Sequence, residues 1–393
     1  MKNKNRKRRK GLPAKDNAGP AIPDRYVYLG LLVVGLLLYS QVIVSGPFLF
    51  DDEHFLVKNR YIHSLANIKE IFTRSTTDGA YIKGNFYRPM QSLLHTAVYA
   101  VFGLRTWAHH LVSVLIHVAN SCLLYRFLRM LGCKSWGGLA AVSLFLVHPV
   151  QVEAVAYISG ASDPLCLFFI VLGFMAFMTG IKHNKNGFLA ASLLCFIAAL
   201  FSKETASIMV ALLMLHAAVK WKDYDRIGKR KAVVMCCLLG IFCVGYVALR
   251  FTVLNFTGNF GLTGADNIYT RSITVRLVTF VHSLAEYARL LTAPFHLYFE
   301  KPYQAYLGLF TLKGLAGLAV ILLAAVTSWW SLRGSKQAAY GWGWAYICLL
   351  PVSGIVPLNA MYLDHWLYLP SAGLALLTAV LFTWLAEKVT WAN

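Results

Sequence analysis

Apolar residues run along this chain in long uncharged blocks, separated by short polar stretches. Residues 26–44 form the first block. A helix of about 20 such residues crosses the ~30 Å of hydrocarbon in a bilayer. Further blocks follow at 108–128, 136–147, 164–180, 188–201, 206–219, 233–251, 307–330, 342–357 and 370–386. The pattern predicts an all-α polytopic membrane protein, a bundle of about ten transmembrane helices. Residues 273–291 also have helical periodicity, but they carry Arg276, His282, Glu286 and Arg289. A lipid-facing span does not tolerate these, so the stretch is expected at the interface or lining a polar cavity. No tetratricopeptide or other repeat with a period of ~20–50 residues is visible.

Residues 45–106 form a large first outer loop with a pattern of its own. Ser64 is placed to cap a short helix with Leu65, Ile68 and Phe72 on one face. Pro89 stands where a first-turn proline is tolerated. The helix it opens has Leu93, Leu94, Ala97, Val98, Val101 and Phe102 on one stripe. Both are expected as amphipathic interfacial helices, polar faces to water, roofing the acidic run that precedes them. Residues 252–306 make a second large outer segment, whose first part, 252–272, is polar and Gly-rich with a sequon at Asn255-Phe256-Thr257.

Composition agrees with a membrane protein: 58% of residues are hydrophobic and only 14% charged. The net charge of +20 raises the question of nucleic acid. Much of it lies in residues 2–10 and 220–231, short basic segments flanking apolar blocks. That is the positive-inside pattern, so no nucleic-acid partner is expected and both termini are placed in the cytoplasm. Residues 1–25 read as a basic cytoplasmic tail held near anionic membrane lipids, and residues 26–393 as the transmembrane domain. The first apolar block lacks a small-residue cleavage site and is read as an uncleaved anchor. The eight cysteines show no C-x-x-C pairing, so neither a zinc site nor a disulfide framework is indicated.

This topology brings the chemistry-bearing residues to the non-cytoplasmic side. Asp51, Asp52, Glu53 and His54 follow the first block. A charge at the bilayer centre costs about 2.5 kcal/mol or more, so the cluster belongs at the membrane surface. Asp51 and Asp52 have two readings, a general base or partners of interfacial lysines. Arg88, Lys203 and the arginines of 271–289, Arg289 among them, either hold a lipid phosphate or snorkel to headgroups. Lys203 beside Glu204 fits the second reading least, because it lies between two short apolar blocks. Glu153, Asp163 and Asp364 fall at the same side, as does His148, whose place before Pro149 favours a role in the turn. His110 and His117 are about 10 Å apart along one helix, too far to share a metal. Hydrogen bonding between helices, together with Asn120, is the better reading.

Taken in order, several stretches resemble one family. They are Phe50-Asp51-Asp52, Asn59, Tyr87-Arg88-Pro89, His148 to Val155, Ser202-Lys203-Glu204 and Leu367 to Ser371. The set is similar to the membrane portion of the transmembrane-and-tetratricopeptide-repeat O-mannosyltransferases and their bacterial relatives. Asp51 to Phe55 also resembles the Asp-Glu-x-His-Phe loop of the wider protein O-mannosyltransferases. The resemblance implies a GT-C-like bundle and a donor sugar carried on polyprenyl phosphate, with Asp51 as the acidic residue of the loop motif. The repeats and a last span that follow in the family are not in this sequence, so a repeat-containing partner is one expected companion. Asp364-His365-Trp366 stands where relatives tend to have an acid, an arginine and a tyrosine.

The expectation is therefore an inverting glycosyltransferase that moves mannose or a similar hexose to a hydroxyl of an acceptor protein or glycan. Asp51 is expected as the base, with Asp52 or Glu153 orienting the acceptor or stabilising charge. Arg88, Lys203 and Arg289 are expected at the donor phosphate, and His54, His148, Asp163 and Asp364 at the sugar or acceptor. A lipid phosphate is already a good leaving group, so no general acid is required; no obligatory metal is expected either, though the acids at 51–53 offer ligands for a divalent ion. The expected location is the outer face of a membrane, a bacterial inner membrane in preference to the endoplasmic reticulum. The rivals are a transporter of lipid-linked sugars and a non-catalytic partner subunit. Transporters tend to show symmetric halves and midplane charges, and neither is evident here.

Overall fold

The computed structural model describes residues 23–82, 84–252, 254, 268–295, 297–299, 304–358 and 360–392. Nearly all of the basic tail, the Asn255-Phe256-Thr257 sequon and much of the second outer segment lie outside these residues. The described residues are helical, with no strand among them. In chain order the α-helices are α1 (Asp24–Leu38), α2 (Ser40–Ser45), α3 (Ile68–Thr73), α4 (Pro89–Phe102), α5 (Thr106–Met130) and α6 (Ser135–Val147). There follow α7 (Val152–Ala156), α8 (Ser162–Lys182), α9 (Asn186–Ser202), α10 (Ile208–Lys220) and α11 (Arg226–Phe251). The last are α12 (Ile268–Arg271), α13 (Ile273–Thr292), α14 (Leu312–Leu332), α15 (Lys336–Leu349) and α16 (Tyr368–Ala392).

All ten apolar blocks appear as helices, but their lengths divide them. Among the described residues, five helical stretches are long and apolar enough to cross a membrane: 106–130, 158–182, 226–251, 312–332 and 364–388. A sixth is added if α6 and the turn of helix after Pro149, bent by 52°, count as one span. The remaining blocks are shorter or broken, as α1 is at Tyr39. The protein is a multi-pass helical membrane protein.

Close helix packing follows from small residues, as expected where lipid supplies no hydrophobic drive. At the α15–α16 crossing a Cβ added to Gly373 would lie 2.7 Å from the Gly341 carbonyl oxygen, so neither position has room for a side chain. Of the polar side chains expected to join the spans, His117 and Asn120 do so, while both ring nitrogens of the buried His110 have no hydrogen-bond partner among the described residues. His117 on α5 bonds the Tyr368 hydroxyl (2.7 Å) and the Leu146 carbonyl (3.1 Å). Asn120 donates to the Pro164 carbonyl at 2.8 Å, so one face of α5 holds α6, α8 and α16.

The bundle has two ends of different character. At one end the basic turns meet: Lys134 pairs with Glu387 at 2.7 Å, Lys336 with Asp223 at 3.5 Å, and Gln337 donates to the Leu131 carbonyl at 3.1 Å. At the other end lie Asp51, Arg88, Glu153, Asp163, Lys203 and Asp364, on the loops, short helical turns and first helical residues at the opposite helix termini. Helix α13 lies across this second end. Near its start Arg276 donates to the Gly354 carbonyl after α15 (2.7 Å). Near its finish the Leu291 carbonyl meets His148 after α6 (3.1 Å). Both partners are at the same end of the bundle, so the stretch lies along that end and does not traverse the bundle.

The first outer loop departs from expectation in which faces it buries. Ser64 does cap its turn, accepting from Ala66 N–H at 3.2 Å, but Leu65 and Ile68 face outward and Ile71 is the buried residue. In α4 the polar residues Gln91, Ser92, His95 and Thr96 are buried, while Val101 and Phe102 are exposed. The polar face packs on the rest of the protein because hydrogen-bond partners wait there. The far end of the apolar stripe, Ala97, Val101 and Phe102, is left exposed.

Candidate active site

Residues 157–163, Tyr-Ile-Ser-Gly-Ala-Ser-Asp, are where the distant site residues meet. The chain here leaves one helix and enters α8, and a backbone outside regular helix must find partners in or near a membrane. Asp52 supplies one of them. Its Oδ1 accepts from the Ser159 backbone N–H (2.8 Å) and hydroxyl (2.6 Å), and its Oδ2 accepts from Leu49 N–H (3.0 Å). The Gln91 amide donates to the Ser159 carbonyl at 2.9 Å. Gly160 packs under the chain at Glu153, where an added Cβ would lie 2.9 Å from the Glu153 carbonyl oxygen.

Asp51 and Asp52 therefore have opposite settings. Asp52 is fully buried, and burial raises its carboxyl above the ordinary value of 3.8 against the pull of its hydrogen bonds from Ser159 and Leu49. Asp51 is exposed, and its backbone N–H donates to the Tyr157 hydroxyl at 3.0 Å. Phe50 before it has φ 44°, a left-handed conformation that costs a bulky residue about 1–3 kcal/mol. His54 follows in a short π-helical turn, Glu53–Val57, half-buried and with no partner for Nδ1 among the described residues.

A chain of charges runs from α4 to α16. Arg88, the residue before Pro89, donates to the Ser162 hydroxyl (3.2 Å) and pairs with Glu204 at 3.6 Å. Its Nε is buried with no partner among the described residues, as is Glu204 Oε2. Lys203 is buried and pairs with Asp163 at 2.6 Å. Asp163 Oδ2 in turn lies 3.9 Å from His365 Nε2. His365 binds Glu153 twice, through Nδ1 (2.8 Å) and through its backbone N–H (2.9 Å). Burial alone would raise the Glu204 carboxyl, but Arg88 and Lys203 together hold it below its ordinary value.

These pairings change several of the expected assignments. Arg88, Lys203 and Arg289 are each ion-paired, Arg289 with Glu286 through Nε at 2.9 Å. For the buried Lys203, a low-dielectric setting leaves few alternatives to its carboxylate partner. Arg88 alone of the three combines a long pairing distance with a buried donor left over. Asp52 and Glu153 have both oxygens bound to protein and are not directed at an acceptor. His148 uses both ring nitrogens on backbone, Nδ1 accepting from Val150 N–H and Nε2 facing the Leu291 carbonyl, so it belongs to the turn and to α13. Asp364 is buried near Arg289 and Tyr287, beside the main chain of charges. Among the described residues no three His, Cys, Asp or Glu side chains are grouped as a metal site.

Residues 88–248 match the model of the dolichyl-phosphate-mannose-protein mannosyltransferase family. Over 323 residues the chain is 26% identical to Protein O-mannosyl-transferase Tmtc2 of Drosophila melanogaster, covering 78% of this chain and 32% of that protein. It is 26% identical over 370 residues to Protein O-mannosyl-transferase F38B6.6 of Caenorhabditis elegans, covering 90% of this chain and 50% of the other. The chain is similar to the protein O-mannosyltransferases. It spans about a third to a half of the length of these relatives. Among solved structures, ArnT from Cupriavidus metallidurans bound to undecaprenyl phosphate aligns with a TM-score of 0.46 and 16% identity, covering 91% of this chain and 60% of that one. The family match opens at Arg88 and takes in residues 157–163, Lys203 and Glu204, while Asp51 and Asp364 lie outside it.

Tyr157, Ser159 and Ser162 are not singled out by the sequence, while His365 and Glu204 enter it only as members of the stretches Asp364-His365-Trp366 and Ser202-Lys203-Glu204, with no role of their own. The signal for the first three is a run of hydroxyl side chains around Gly160, between two apolar blocks. Such side chains satisfy a backbone that has left its helix.

Proposed function

We propose that the protein is an inverting glycosyltransferase that moves mannose, or a similar hexose, from a polyprenyl-phosphate carrier to a hydroxyl group, most simply on a protein. The observation that carries this is the meeting of Arg88, Asp163, Lys203, Glu204 and the loop of Asp51 on the one segment 157–163, in a chain similar to O-mannosyltransferases. Asp51 is the exposed carboxylate at the rim and takes the proton of the acceptor hydroxyl as that oxygen attacks the anomeric carbon. The bond from that carbon to the phosphate oxygen breaks, and the phosphate keeps its electron pair. Attack and departure on opposite faces invert the centre in one step, as with single-displacement glycosidases.

Arg88 meets the departing phosphate with the donor capacity that its long pair with Glu204 leaves over. Lys203 acts one step back: it holds Asp163, and thereby the segment on which Arg88 and Asp51 depend. No metal is needed in this scheme, because the phosphate is already a good leaving group. The positive-inside rule puts the basic end in the cytoplasm and the site at the outer face.

The test is transfer of radiolabelled mannose from polyprenyl-phosphate mannose to serine- and threonine-containing peptides by the purified chain in nanodiscs. Wild type should give a glycopeptide of inverted anomeric configuration and Asp51→Asn none. Wild-type rates in Asp51→Asn overturn the assignment of the base. Counterflow of the carrier in proteoliposomes with no covalent product replaces the enzyme by a transporter.

A further inference from the structure

Phe50, Asp51, Tyr157 and Phe299 form a closed circuit that the ion pairs do not touch. Phe50 has a left-handed backbone, and a large side chain keeps that conformation only where its surroundings hold it. What holds it is a ring stack. Phe50 is 55% exposed, yet its ring lies flat on Phe299, with centroids 4.3 Å apart and an interplanar angle of 4°. Phe299 meets the Tyr157 ring edge-on, at 4.8 Å and 81°. The Tyr157 hydroxyl accepts the backbone N–H of Asp51 at 3.0 Å. The chain is thus pinned on both sides of the Phe50–Asp51 peptide.

An exposed carboxylate has no packing of its own to fix its direction, so its aim is set by the backbone that carries it. Catalysis by such a group tolerates little error, since misplacement by about 1 Å costs on the order of a hundredfold in rate. We propose that Tyr157 and Phe299 are positioning residues for Asp51, the hydroxyl fixing the peptide and the ring stack fixing the turn before it. The inference rests on Asp51 being the base. Because Phe299 comes from the second outer segment, the circuit makes the geometry of the base depend on where that segment sits.

The experiment compares wild type, Phe299→Leu, Phe299→Tyr, Tyr157→Phe and Asp51→Asn, each as the full chain in nanodiscs. Hydrogen exchange at the Asp51 amide is the first readout and needs no turnover. It should quicken by roughly three- to tenfold in Phe299→Leu and Tyr157→Phe, stay near wild type in Phe299→Tyr, and leave the amides of α8 unchanged. Mannose transfer from polyprenyl-phosphate mannose is the second. In the two disruptive variants kcat should fall by at least about tenfold with the donor KM unchanged, and Phe299→Tyr should recover most of it. Unchanged exchange at Asp51 in Phe299→Leu overturns the circuit, and so does a change that spreads through α8. Faster exchange with unaltered kcat, where Asp51→Asn is inactive, overturns the positioning role. Full activity of Asp51→Asn refutes the base and leaves the exchange result to judge the circuit alone.

Discussion

Lys203 Nζ and Asp163 Oδ2 lie 2.6 Å apart, with 6% and 4% of their side chains exposed. Each has exchanged water for the other, so removing one leaves an uncompensated charge in a poor solvent for it. Losing one partner of a buried pair costs about 3–5 kcal/mol. We expect Lys203→Met and Asp163→Asn each to lower thermal stability in detergent by that order, and the double variant by clearly less than the sum of the two. Additive losses in the double-variant cycle would mean that the pair is not coupled. Transfer should stay low in the double variant even where the fold recovers, because segment 157–163 has lost its anchor to α9.

Adjacent carboxylates at 51 and 52 should separate cleanly by experiment. Asp51 is exposed and Asp52 is buried with three hydrogen bonds. Asp51→Asn should change stability by no more than ordinary surface substitutions do, about ±0.5 kcal/mol, while abolishing transfer. Asp52→Ala removes the acceptor for buried donors of Ser159 and Leu49 and should cost about 1–3 kcal/mol for each donor left unsatisfied. Melting curves and transfer assays on the two variants decide it. A stable, inactive Asp52→Ala would assign the chemistry to the wrong neighbour.

The apolar blocks made the helices legible, because a membrane span must be long and nearly uncharged and few other patterns look like it. The one-sided gathering of Asp51, Arg88, Glu153, Asp163 and Lys203 was legible too, since alternation through the membrane fixes which ends share a side. The pairing within that end was not. Nothing in the spacing says that Lys203 takes Asp163 and Arg88 takes Glu204, because those contacts depend on how α8, α9 and α4 pack. The periodicity of α4 misled for a related reason. It shows an apolar and a polar face, but not that the polar face would find buried partners in Ser159 and His109.

Acidity should expose the Glu204 carboxylate. It is held below the ordinary glutamate value of 4.5, burial being outweighed by Arg88 and Lys203. The folded chain then releases this proton more readily than the unfolded one. The resulting stabilisation is complete above pH 4.5 and is lost as pH falls through the lower folded value. Wild type should therefore melt above Glu204→Gln at neutral pH, with the gap closing below pH 4.5. A gap that widens on acidification would reverse the sign and remove Arg88 and Lys203 as the stabilising partners.

Glu153 offers the sharpest choice between a group that meets substrate and one that holds the site together. Its two oxygens go to one residue, Oε1 to His365 Nδ1 at 2.8 Å and Oε2 to the His365 backbone N–H at 2.9 Å. This double bond in the hydrogen-bonding sense ties α7 to the turn Asp364–Leu367 that opens α16. Glu153→Leu removes both acceptors and leaves the His365 backbone N–H and ring Nδ1 without them. The expected loss is about 1–3 kcal/mol of stability, with transfer falling through kcat because Asp163 loses the His365 neighbour it shares with Glu153. If Glu153 instead oriented the acceptor directly, the same substitution would leave the melting temperature alone and raise the acceptor KM. Measuring melting and acceptor kinetics on the one variant separates the two roles, and the geometry commits to the first.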